Sequence, residues 1–100
     1  MVLKDRVSIH NMRYTRPSMP YDFKVDRSTR LGNPYKMEGG RTREQSIAEY
    51  KSWFDKYGIN SDYFKEIVAA YDQYGIVRLF CWCAPEACHA EIIKKALEEM

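Results

Sequence analysis

Between Gly75 and Pro85 the chain reads IVRLFCWCA (residues 76–84), and the fold turns on how this stretch is read. It is a nearly continuous apolar run, rich in β-formers and bounded by two turn residues. That pattern suits a strand covered on both faces, which usually means a parallel sheet.

Working outward, two helices precede the run. Thr42 with Gln45 three residues later forms a capping box, and Ile47, Tyr50, Phe54 and Tyr57 recur on one face until Gly58. Ser61 caps the second helix, whose stripe is Phe64, Ile67, Val68 and Tyr71, and Gly75 closes it. Beyond the run, Pro85 opens a third helix with Ile92, Ile93, Ala96 and Leu97 as its buried stripe. Near the start, RVSIHNM (residues 6–12) alternates Val7, Ile9 and Asn11 with Ser8 and His10, as a first strand would. The run is expected to be a central strand paired in parallel with this one.

The segment between, residues 13–41, carries Pro17, Pro20, Gly32, Pro34, Gly39 and Gly40 and has no sustained period. Loops of that length are usually functional or disordered. Tyr21, Phe23, Leu31 and Tyr35 give this one something to pack with, so it reads as an ordered binding loop with a short strand near Phe23 to Val25. The expectation is a single small α/β domain over residues 1–100, a short parallel or mixed sheet flanked by about three helices. It divides into a basic loop at 14–41, two helices at 42–75, and a strand, turn and helix at 76–97.

One hundred residues suffice for one core, and no run of eighteen apolar residues or signal-like leader is present. The sequence therefore predicts a soluble, cytoplasmic protein without a membrane partner. Its three cysteines, odd in number and crowded together, make a poor disulfide framework and are expected to be reduced. Charge is uneven. From Arg13 to Arg43 eight bases face three acids, a balance of +5; from Glu44 onward six bases face ten acids, a balance of −4. A basic segment of this kind often meets phosphate, although a solvated loop carries such charge as well. The acidic helices and the lack of a recognised motif argue against a nucleic-acid-binding module.

All three cysteines and one of the two histidines fall in CWCAPEACH, residues 81–89. A zinc site would use Cys81, Cys83, Cys88 and His89. Structural zinc sites, however, pair ligands through short knuckles on two segments, and C-x-C on a strand does neither, so no metal and no cofactor are expected. A catalytic reading makes Cys88 a nucleophile in the first turn of a helix. His89 is next to it in sequence and faces elsewhere, which leaves His10 as the better base. A structural reading makes the cysteines small hydrophobes and gives His89 a backbone carbonyl to bond. Even then a site remains. With Pro85 first in the helix, Ala84 stands at the cap position and cannot cap, so the orphan amides need water or an anion. That point lies at the carboxyl end of a buried strand, where open α/β sheets bind ligands. Glu86 counts against it, because its carboxylate can satisfy the same positive end.

The loop ending STRLGNPYKM, the helix EQSIAEYKSWF and the closing LFCWCAPEACHAEIIKKAL together resemble the family known as domain of unknown function 4326. Its members are small proteins, many phage-encoded, with an S-x-LGNP loop and a CWC-x-P-x-x-CH motif. The resemblance spans roughly residues 14 to 97. The signature positions fall on Arg16, Arg30, Leu31, Gly32, Asn33, Pro34, Cys81, Trp82, Cys83, Pro85, Cys88 and His89. It implies a phage setting, hence a host cytoplasm, and joins loop and cysteine turn in one unit; it implies no activity.

Together these readings favour a binder of a small anionic or nucleotide-like ligand. Arg16 and Arg30 would clamp phosphate or carboxylate with their planar forks. Gly32, Asn33 and Pro34 would form a turn that reads a base or ribose, and Cys88 and His89 would form the floor. In a phage such a binder would sequester a host immune signal. The rival class is an enzyme acting on the same ligand, a hydrolase or glycosidase using Cys88, His89 or His10. Eight tyrosines and two tryptophans leave a homo-oligomer open.

Overall fold

Three strands lie parallel, and the one made last sits in the middle. The computed structural model describes residues 6–26, 28–35, 39–82 and 89–99. Strands β1 (Val7–Asn11), β2 (Asp22–Lys24) and β3 (Val77–Cys81) form one sheet in the order β1-β3-β2. Val7 pairs with Val77 and Asn11 with Cys81, while Asp22 pairs with Arg78 and Lys24 with Phe80. The apolar run is thus a central parallel strand, and the short strand in the loop is its second partner.

The helices are α1 (Arg43–Lys56), α2 (Asp62–Tyr74) and α3 (Ala90–Glu98), with a 3-10 turn at Gly58–Asn60 between the first two. Both predicted caps form. Thr42 Oγ1 accepts from the Gln45 amide at 3.1 Å while Gln45 Oε1 accepts from the Thr42 amide at 2.8 Å, and Ser61 Oγ accepts from the Phe64 amide at 3.2 Å. Gly75 ends α2 in the left-handed conformation, φ 70°, which costs glycine nothing.

Gly58 acts differently from the helix stop that its position suggests. The cap of α1 is Tyr57, and Gly58 is buried where a Cβ would come within 2.6 Å of the Phe54 ring. The third helix, expected from Pro85, runs from Ala90; Pro85 itself lies outside the described residues.

One core joins the sheet to all three helices. Val7, Val77, Leu79 and Cys81 pack with Tyr50 and Phe54 of α1, Phe64 and Ile67 of α2, and Ile93 and Leu97 of α3. The strand alternation therefore sends one face of the sheet to the helices. The other face carries Ser8, His10, Asp22, Lys24, Arg78 and Phe80. The architecture has two layers, and among the described residues no helix lies on the second face. Phe80 is fully buried there all the same, under rings and a guanidinium described below. No described helix is long and apolar enough to cross a membrane.

Candidate functional site

The loop after β2 is held from inside. The His89 imidazole donates from Nε2 to the Val25 carbonyl, and its ring meets Tyr50 edge-on at 5.0 Å. The Tyr50 hydroxyl donates to the Leu31 carbonyl at 2.8 Å. Ser46 donates to the Tyr35 carbonyl and accepts from Asn33 Nδ2 at 2.8 Å, while Asn33 Oδ1 accepts from the Tyr35 amide at 2.8 Å. Leu31 is fully buried beneath. Helix α1 presents Ser46, Tyr50 and Phe54 four residues apart, so one buried stripe carries both a core ring and two loop staples. This differs from the predicted stripe at its ends, since Ile47 is half-buried and Tyr57 is exposed.

These bonds decide what several predicted site residues do. The Asn33 amide is engaged with Ser46 and Tyr35 inside the protein, and it shapes the turn. Gly32 donates its amide to Thr29 at 3.0 Å within the same turn. His89 and Cys81 are both buried on the helical side of the sheet. Cys83 and Cys88 lie outside the described residues, as do Ala84, Pro85 and Glu86. Among the described residues no three His, Cys, Asp or Glu side chains gather as a metal site. His10 lies on the opposite face of the sheet from His89, bonded through Nε2 to Ser8 Oγ at 2.7 Å and stacked on Phe80 at 5.2 Å.

The carboxyl ends of the strands meet at an exposed tryptophan. Trp82 follows β3 directly, with half its surface open to solvent. Its backbone carbonyl accepts from Asn11 Nδ2 at 3.2 Å, at the end of β1. Its indole Nε1 donates to Asp26 Oδ2 at 3.0 Å, just after β2. Over the indole ring stands the Arg16 guanidinium, 5.3 Å from the centroid. Arg30, also exposed, belongs to the stapled loop. Burial alone would raise the Asp26 pKa, but hydrogen bonds from the Ser28 hydroxyl, Trp82 and the Ser28 amide, with Lys24 nearby, together lower it. Asp26 is therefore an anion near neutral pH, orienting the indole and the turn at Ser28 together.

A second carboxylate organises the first loop. Asp22 accepts from Arg78 Nε at 2.6 Å and a terminal nitrogen at 2.7 Å, and from the amides of Ser18 and Met19 at 2.9 Å each. Its side chain is fully buried, yet these bonds overcome the burial that would raise its pKa and lower it instead. Asp22 and Asp26 are two of the three acids between Arg13 and Arg43. Their lone negative charges in a basic loop were the available signal for two loop anchors. The exposure of Trp82 had no such signal, since its neighbours read as core.

Neither a curated protein nor a solved structure matches the chain. A family model does match over residues 9–99, from β1 to the end of α3, so the stapled loop, Trp82 and the closing helix all fall within it. The chain belongs to the family described as Domain of unknown function (DUF4326).

Proposed function

We propose that this protein binds a small anionic, nucleotide-type ligand at the carboxyl edge of its parallel sheet, without a cofactor. One observation carries the reading: an exposed indole at the end of the central strand, fixed by Asp26 and faced by the Arg16 guanidinium. An indole offers a flat surface for a base, and stacking of this kind contributes about 1–3 kcal/mol per base. An arginine supplies the planar fork that phosphate oxygens prefer. Arg30 stands on the stapled loop as a second cation, with Gly32 and Asn33 fixing the turn that presents it. Cys88, expected with His89 to form the floor of the site, lies outside the described residues, and His89 holds the Val25 carbonyl behind the loop. In the phage setting that the resemblance suggests, such a protein acts in the host cytoplasm by sequestering a nucleotide-derived signal.

The test is calorimetric titration of wild type, Arg16→Ala and Trp82→Ala with a panel of mono-, di- and cyclic nucleotides. Loss of a charge-assisted bond of about 1.5–3 kcal/mol predicts roughly ten- to a hundredfold weaker binding for Arg16→Ala. Heat from at least one nucleotide, weakened in both variants, is the expected result. Equal affinity for all three proteins would move the ligand elsewhere.

A further inference from the structure

The second face of the sheet carries a constellation that the binding reading leaves unused. Ser8 and His10 are two apart on β1, so both side chains stand on that face, with Oγ and Nε2 2.7 Å apart. Both residues are half-buried. The imidazole is fixed by stacking on Phe80, at 5.2 Å and 25° between planes. Directly across from Ser8 in the parallel register is Arg78, whose guanidinium lies over the same Phe80 ring at 5.6 Å. Asp22 holds Arg78 at two points, through Nε and one terminal nitrogen. The other terminal nitrogen keeps its N–H groups for a further acceptor.

These are the parts of a nucleophile site: a hydroxyl bonded to a base, a base held by packing, and a preorganised donor beside them. We propose that Ser8 is a nucleophile, His10 its general base, and that this face cleaves small uncharged carboxylic esters. The charge balance selects that class. Asp22 neutralises Arg78, so the pair can donate to a developing oxyanion but holds no net charge to attract a phosphate.

In the first step Ser8 Oγ bonds the acyl carbon while its proton passes to His10 Nε2. The ester C–O bond then breaks, and the alcohol leaves with that proton. Water, deprotonated by His10, attacks the acyl carbon, and the acid departs as Ser8 recovers its hydrogen. His10 must be neutral to begin. Burial and Arg78 both lower its pKa, against a smaller opposing pull from Asp22. Among the described residues Lys24, paired with Phe80 from β2, is the remaining charged group on this face.

The test uses the full chain and a small ethyl fluorophosphonate probe, whose fluoride is displaced by a serine oxygen. Intact-mass analysis and peptide mapping should find one adduct, on Ser8, absent in Ser8→Ala. His10→Phe, which keeps an aromatic ring against Phe80, should slow labelling at least about tenfold, in line with loss of a general base. Circular dichroism of both variants checks that they fold. In the wild type the rate should rise with pH and level off below the ordinary histidine value of about 6.5. Label on another residue, no label, or equal rates in His10→Phe would overturn the proposal. So would a rate unaffected by pH between about 4 and 8, a readout that needs no variant.

Discussion

Gly58 shows how a single missing atom can matter to this core. A methyl group there would press on Phe54 at 2.6 Å and on Trp53 at 3.0 Å, rings already packed against Tyr50 and Phe64. Forcing extra volume into a packed site costs roughly 1–3 kcal/mol. Gly58→Ala should therefore lower the free energy of unfolding by about that amount in urea titration. Its backbone φ is not the reason, so the remedy lies in the ring: pairing it with Phe54→Leu should recover part of the loss.

Asp22 gives a second outcome at the same scale, and its sign follows from the lowered pKa. A carboxylate held lower in the folded protein contributes stability above its unfolded value of about 3.9. That contribution fades as pH falls through the folded value. Asp22→Asn should thus be less stable than wild type near neutrality, and the gap should narrow steadily as the pH drops below about 4. Unfolding curves across the acid range would measure it. A gap that stayed constant would mean that the Arg78 bonds do not depend on the charge.

Elements here are tied to one another by few polar bonds in well-chosen places. Ser46 bonds both Asn33 and the Tyr35 carbonyl, so Ser46→Ala removes two bonds to the loop while leaving α1 intact. A hydrogen bond of this kind contributes about 0.5–1.5 kcal/mol, so the pair contributes about 1–3 kcal/mol. The variant should lose stability of that order, and amide hydrogen exchange should quicken in residues 31–35 more than in α2. Uniform quickening across the domain would show that the staple is not local. The helices themselves were readable in advance because caps and stripes are local: Thr42 with Gln45, Ser61, and the αL glycine at 75 all lie within a turn of what they stop or start. The staples were not, since Ser46 to Asn33 and His89 to Val25 join residues that only tertiary packing brings together. Asn33, expected from the sequence to read a ligand, is also a group that holds the loop in the fold.

For the whole molecule, the reading of residues 76–84 as a central parallel strand carried most of the architecture. Phe80 is buried, as a two-faced apolar strand requires, with His10 and Arg78 over it in place of a helix. A stacked imidazole and a paired guanidinium bury an aromatic ring about as well as leucines do, and hydropathy cannot distinguish them. The candidate site was legible in its basic loop and hidden in its tryptophan, because exposure depends on where the sheet ends.

The strand order has a further consequence, for synthesis. Among the described residues both β1 and β2 pair only with β3, and Val7 meets Val77 seventy positions away in the chain. While the ribosome makes the first 76 residues, neither strand has its partner. Helices α1 and α2 can form early, but the sheet must wait. A message truncated before residue 77 would yield a chain with two orphan strand edges and half a core, a good substrate for proteases and for aggregation. Once Val77–Cys81 is made, both strands gain their partner together.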